Sequence, residues 1–147
     1  MSKYVNQPLA LPGITTIFTY IVNVENIEKN TQHLEGLKDV LPQGGFLFCN
    51  GATQGDPLQS CDAPMYKLVA DNADPSIPNT FTDTIGFTSL ADPALTYNAV
   101  ADRWELIWDD GWGMTQAGMS QDTLIMRFQA EFTPIASGTS TTRSSWM

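Results

Sequence analysis

Two cysteines, Cys49 and Cys61, stand on either side of residues 50–60, a stretch rich in Gly, Asn, Asp and Pro. A bridge between them closes a short loop, stabilises the fold by about 3 kcal/mol on a chain-entropy account, and belongs in an oxidising compartment. The alternative is a pair of reduced, partly buried thiols. The disulfide is the preferred reading, because the turn-rich insert has no other means of staying ordered. Oxygen-rich turns form a second group. Asp71, Asn72 and Asp74 share one loop, while Asp109 and Asp110 precede Gly111 in another. Hard oxygen donors on a turn suit calcium, which makes it the candidate cofactor, although the EF-hand spacing is absent. Asp and Asn are also ordinary turn formers, and that reading outweighs the metal one.

Trp104, Trp108 and Trp112 are candidates for an aromatic platform under a sugar ring, with Asp109 and Asp110 beside them. Trp104 and Trp108 share strand parity with Leu106, which assigns them to a core first. Trp112, in a glycine-rich turn, is the exposed candidate for a glycan. Catalytic groups are scarce. A nucleophilic triad needs a histidine, and the single one, His33, lies in a polar turn with no Gly-x-Ser-x-Gly motif in the chain. One distant histidine and two cysteines do not give zinc spacing. Lys67, inside MYKLVA, is the lysine considered for an isopeptide crosslink to an asparagine, against the ordinary expectation of a solvent-facing side chain. Sixteen acidic residues include no pair singled out by spacing for glycoside hydrolysis. The expectation is a non-catalytic protein.

The 147 residues fit one domain, and 42% hydrophobic composition is that of a folded chain. A net charge of −9 repels nucleic acid and anionic headgroups, so neither is expected as a partner. No apolar run is long enough to cross a bilayer as a helix, and membrane insertion is not expected. Near the N-terminus Pro8, Pro12 and Gly13 interrupt the leucines, so an export signal is expected upstream if there is one. No Asn-x-Ser/Thr acceptor occurs.

These residues need a scaffold, and the periodicity supplies one made of strands. Thr16, Phe18, Tyr20, Val22 and Val24 share one face; Ile17, Thr19 and Ile21 share the other, so this strand is expected to be covered on both sides. Residues 34–40 read as a short second strand and 46–49 as a third. Residues 65–70 follow. Phe81, Ile85 and Phe87 alternate with threonines, as in a half-buried strand. Residues 95–100 and 103–108 give further strands. In 123–133, Leu124, Met126, Phe128, Ala130 and Phe132 form an inward row opposite Thr123, Arg127, Gln129 and Glu131. Seven to nine strands with no helical period predict an all-β, antiparallel, two-sheet immunoglobulin-like sandwich over 13–147, preceded by a linker or edge segment at 1–12. Phe18, Tyr20, Trp104, Trp108, Phe128 and Phe132 are the expected core.

LPGITTIFTYIVNVEN (11–26), LKDVLPQGGFLF (37–48) and WELIWDDGWGMTQAGMSQDTLIMRFQAEFTPIASGT (104–139) resemble the bacterial and archaeal surface repeat called domain of unknown function 11. The likeness lies in a Pro-Gly entry, a Thr-Tyr strand ending in Asn, an Asp-x-Leu-Pro turn, a tryptophan strand and a glycine turn into a long closing strand. Ile27-Glu28-Lys29-Asn30 departs from the family's glycine after the Asn, and residues 49–92 are longer than in a plain repeat. The resemblance implies a structural or adhesive module of an extracellular or cell-surface protein or filament. Its partners would be neighbouring copies or domains of the same assembly, reached through strand edges. The alternative is a calcium- or carbohydrate-binding sandwich using the 71–83 and 109–113 loops.

Overall fold

Ten-residue runs of β-branched and aromatic residues, TIFTYIVNVE and TLIMRFQAEF, form the two longest strands. The computed structural model describes residues 2–6, 13, 15–49, 61–70, 81–82 and 84–132. In chain order its strands are β1 (Ser2–Val5), β2 (Thr16–Glu25), β3 (Gln32–Leu34), β4 (Leu37–Val40), β5 (Leu47–Cys49), β6 (Met65–Val69), β7 (Thr88–Ser89), β8 (Ala94–Asn98), β9 (Arg103–Trp108), β10 (Trp112–Met114) and β11 (Thr123–Phe132). Among the described residues there is no α-helix, and every strand pairing is antiparallel.

The β2–β11 pair is the spine, in register from Thr123↔Glu25 to Phe132↔Thr16. On the far side of β2 lies β1, an edge strand. On the far side of β11, β5 and β6 lie in line, β5 opposite Glu131 to Gln129 and β6 opposite Arg127 to Thr123, with β7 beyond β6. The opposing layer is the three-stranded β4–β9–β8 sheet and the β3–β10 pair. Phe18, Tyr20, Val22, Leu124, Met126, Phe128 and Ala130 from the first layer meet Leu106, Trp108, Trp112 and Met114 from the second in one hydrophobic core. Trp108 lies against Phe128 with ring centroids 5.4 Å apart and donates its indole N–H to the Ala91 carbonyl at 2.9 Å, so the one polar atom of the ring is satisfied. Trp104 and Phe132, two of the expected core residues, are half-buried and pack against this cluster.

Three sequence expectations change. Residues 34–40 are not one strand: Leu34 ends β3, which pairs with β10, and Leu37 begins β4, which pairs with β9. Gly36 lies at the break, and a Cβ there would come within 2.6 Å of the Trp108 carbonyl oxygen. Phe81, Ile85 and Phe87 do not alternate along a strand; Gly86 turns the chain at φ 84°, Ile85 is 82% exposed, and pairing begins only at Thr88. The row Thr123, Arg127, Gln129, Glu131 does not face water. All four are buried, as is Ile125 among them, so β11 is covered on both faces. The same holds for the middle of β2, where Thr19 and Ile21 are buried as the two apolar rows required.

Candidate functional site

The disulfide lies where β11 changes partner. β5 ends at Cys49, opposite Gln129, and β6 starts at Met65, opposite Arg127, so the chain leaves one edge and rejoins it two residues along. Cys49 and Cys61 are paired, with Cα atoms 5.8 Å apart, and both are buried. The residue after the bridge then enters a polar seam on the second face of β11. The Asp62 N–H donates to Gln129 Oε1 at 2.6 Å, and its carboxylate lies 3.0 Å from Arg127 Nη1. Arg127 also donates from Nη2 (2.9 Å) and Nε (3.3 Å) to the Phe81 carbonyl. Gln129 Nε2 donates to Thr19 Oγ1 at 2.9 Å. Each long polar side chain thus fastens a covering segment to the sheet, which is why a charged residue is tolerated there with 3% exposure. The sequence carries a signal for this in Ile125, an apolar residue in the row opposite the inward one.

The expected ligand residues are not brought together. Trp112 is a correction: it is 3% exposed, alternates with buried Met114 in β10, and packs edge-on against Tyr66 with centroids 5.9 Å apart, so its faces are closed to a sugar. Asp109 and Asp110 are exposed in the β9–β10 turn. Asp71, Asn72 and Asp74 lie outside the described residues. Among the described residues no three His, Cys, Asp or Glu side chains are grouped to hold a metal ion. His33 pairs across with Gly113, and its imidazole lies so close to Gly111 that a Cβ there would overlap Nε2. A groove of about 370 Å³ runs along this β3–β10 pair, lined by Gln32, His33 and Thr115. Lys67 is half-buried, its ammonium 4.9 Å from the Phe87 ring centroid.

Sequence reasoning missed one charged cluster entirely. Lys3 of β1 reaches across the edge of the two layers to Asp39 of β4, Nζ to Oδ2 2.8 Å, and donates to the Val40 carbonyl at 2.8 Å. Its ammonium lies 4.7 Å from the centre of the Tyr20 ring. Burial pushes the Asp39 carboxyl above its ordinary range, with the Lys3 charge and hydrogen bonds from Lys3 and Val40 pulling it back. Burial, and then the Asp39 charge, push the Tyr20 hydroxyl up to about 12. No local motif encodes this cluster, because the two partners are joined by side chains from opposite layers.

The polar end of the fold is closed in a similar way. Asn26 Nδ2 donates to the carbonyls of Asn30 (3.0 Å) and Thr115 (2.8 Å), and buried Asp122 accepts from the Gly118 N–H at 2.8 Å. Fold and site together define a disulfide-stapled antiparallel β protein of sandwich type whose buried polar residues fasten loops to sheets. No family model, no curated protein and no solved structure matches the chain.

Proposed function

We propose that this chain is a structural or adhesive module of an extracellular or cell-surface protein, immunoglobulin-like in its sandwich, and akin to the surface repeat it resembles. The observation that carries this reading is the Cys49–Cys61 pair at the β5–β6 handover, a crosslink that persists in oxidising compartments. It is supported by the use made of the side chains best equipped to bind. Trp112 fills the core, Arg127 holds the covering segments and Asp122 caps a loop, so their chemistry serves shape. Neighbouring modules or copies are the partners this reading calls for.

The test is the intact mass of natively produced protein, trapped with an alkylating agent and measured under denaturing conditions with and without reductant. A mass two hydrogens below the reduced chain, with no alkylation, is the expected result. Freely alkylated thiols in material taken directly from its native compartment overturn the extracellular assignment.

A further inference from the structure

Lys3 is a charge that points inward from an edge strand. It stands opposite Val22 in the β1–β2 ladder, and Val22 belongs to the core, so both side chains project into the space between the layers. There the ammonium is received by Asp39, the Val40 carbonyl and the face of Tyr20. The receiving groups belong to β2 and β4, elements built into the body of the fold. The incoming group belongs to a four-residue strand, every residue of it exposed, that among the described strands pairs with β2 alone. One further polar pair fixes its register: the Asn6 N–H donates to the Thr19 carbonyl at 3.0 Å, and Asn6 Oδ1 accepts from the Thr19 N–H at 2.9 Å.

We propose that the cleft between β2 and β4 is a strand-acceptor groove that selects its occupant by a lysine opposite Val22, and that a second copy of this chain fills it with its own β1. This deepens the reading as a module of an assembly, and rests on that reading for its biological setting. Two features point to a copy of the chain as the occupant. The buried Asp39 carboxylate, only 8% exposed, requires a cation, and β1 carries one in the correct register. At a net charge of −9 two copies repel on approach, and a docking element that brings its own positive charge offsets this locally.

An exchanged strand makes the same contacts as a retained one, which is the low-cost route to association between identical chains. Stacking edge to edge on the outside of β1 is a different matter, since an inward-aimed charge on a short edge strand is a device that discourages it. Exchange competes with an intramolecular strand whose effective concentration is on the order of millimolar, so it becomes visible as total protein approaches about 1 mM, or when copies are tethered side by side.

The test uses the full chain in two charge-reversed forms, Lys3→Asp and Asp39→Lys. Each sets like charges together in its own groove and in that of its twin, whereas the strand of one fits the groove of the other. Mixing the two forms should give 1:1 heterodimers by native mass spectrometry, on the order of tenfold over either homodimer. Folded variants that stay monomeric when mixed overturn the proposal. Should either variant fail to fold, Ser2→Cys with Asn23→Cys decides instead, since those residues face each other in the β1–β2 register. Covalent dimers whose fraction rises with concentration support exchange; a crosslink confined to single chains at about 1 mM refutes it. That refutation leaves the disulfide and the compartment untouched, so the failures of the two readings are separable.

Discussion

Replacing Lys3 with methionine keeps most of the aliphatic stem and removes the charge that faces Asp39. The Asp39 carboxyl is raised above its ordinary 3.8, burial being the largest cause and Lys3 the main opposing one. Removing the ammonium leaves the burial and lifts the carboxyl further. A buried charge stripped of its partner costs about 3–5 kcal/mol. The Lys3 side chain keeps 30% exposure, so water already screens part of this pair, and about 1–2 kcal/mol is the loss to expect near neutral pH. For a chain of 147 residues that is a fall in Tm of about 2–8 °C. The pH dependence follows from the sign of the shift. With its folded pKa above the unfolded one, Asp39 binds its proton more tightly in the native state. The stability this gives is complete below 3.8 and is lost as pH rises through the folded value. Lys3→Met therefore shows only the smaller deficit of its lost Val40 and Tyr20 contacts where Asp39 is neutral, and falls further behind as the carboxyl ionises. Asp39→Asn is the control: it removes the buried charge, melts at or above wild type at neutral pH, and shrinks the Lys3→Met deficit in the double variant to that of the Val40 and Tyr20 contacts. The assay is thermal melting by circular dichroism in steps from about pH 3 to 8, across the carboxylate range. A Lys3→Met deficit that is constant over that range, or that persists undiminished in the Asp39→Asn background, refutes the reasoning.

Replacing Cys49 and Cys61 by alanine, at a sequence separation of 12, should cost about 3 kcal/mol in urea melts, and reductant should reproduce that loss in the wild type. Arg127→Met removes the contacts to Phe81 and Asp62 and should cost about 2–4 kcal/mol; hydrogen exchange should quicken at residues 61–66 while β2 stays protected, and uniform loosening of both would contradict the clamp. Two glycines should behave oppositely. Gly36→Ala drives a methyl onto the Trp108 carbonyl and should lower Tm by several degrees, roughly the effect of 2 kcal/mol, whereas Gly111→Ala meets only the exposed His33 imidazole, which can swing aside.

Parity carried the sequence reading wherever strands were long. Phe18, Tyr20 and Val22 in β2, and Leu124 to Ala130 in β11, repeat every second residue over ten positions, and they are the core. It failed where strands are short. Trp112, Gly113 and Met114 alternate inward, outward, inward, but three residues flanked by glycine look like a turn until β3 is seen beside them. Gly36 falls inside the run 34–40 that reads as one strand, yet the close approach of the Trp108 carbonyl makes it the point where the chain passes from one sheet to the other. Arg127 and Gln129 stand opposite the inward row, where charge and amide usually mean water; here they are buried under segments far away in sequence. Of the candidate site, the cysteine pair was legible from its spacing. The Lys3–Asp39 pair was not, because it depends on which strand edge faces which.

The order of strands also governs how the fold answers tension. Thr16 and Phe132 face each other at the same end of the β2–β11 ladder, so a load applied at those two points opens it bond by bond, like a zip. Ser2 lies opposite Asn23, towards the other end. A load that enters at Ser2 and leaves at Phe132 therefore pulls along the strands in opposite directions, and the β1–β2 bonds resist it together. Loading in parallel raises the barrier to forced unfolding, which is set by the unfolding rate and not by equilibrium stability. Four exposed residues, held by their ladder with β2 and by the Lys3 and Asn6 side chains, thus convert a sheet that would peel into one that must be sheared.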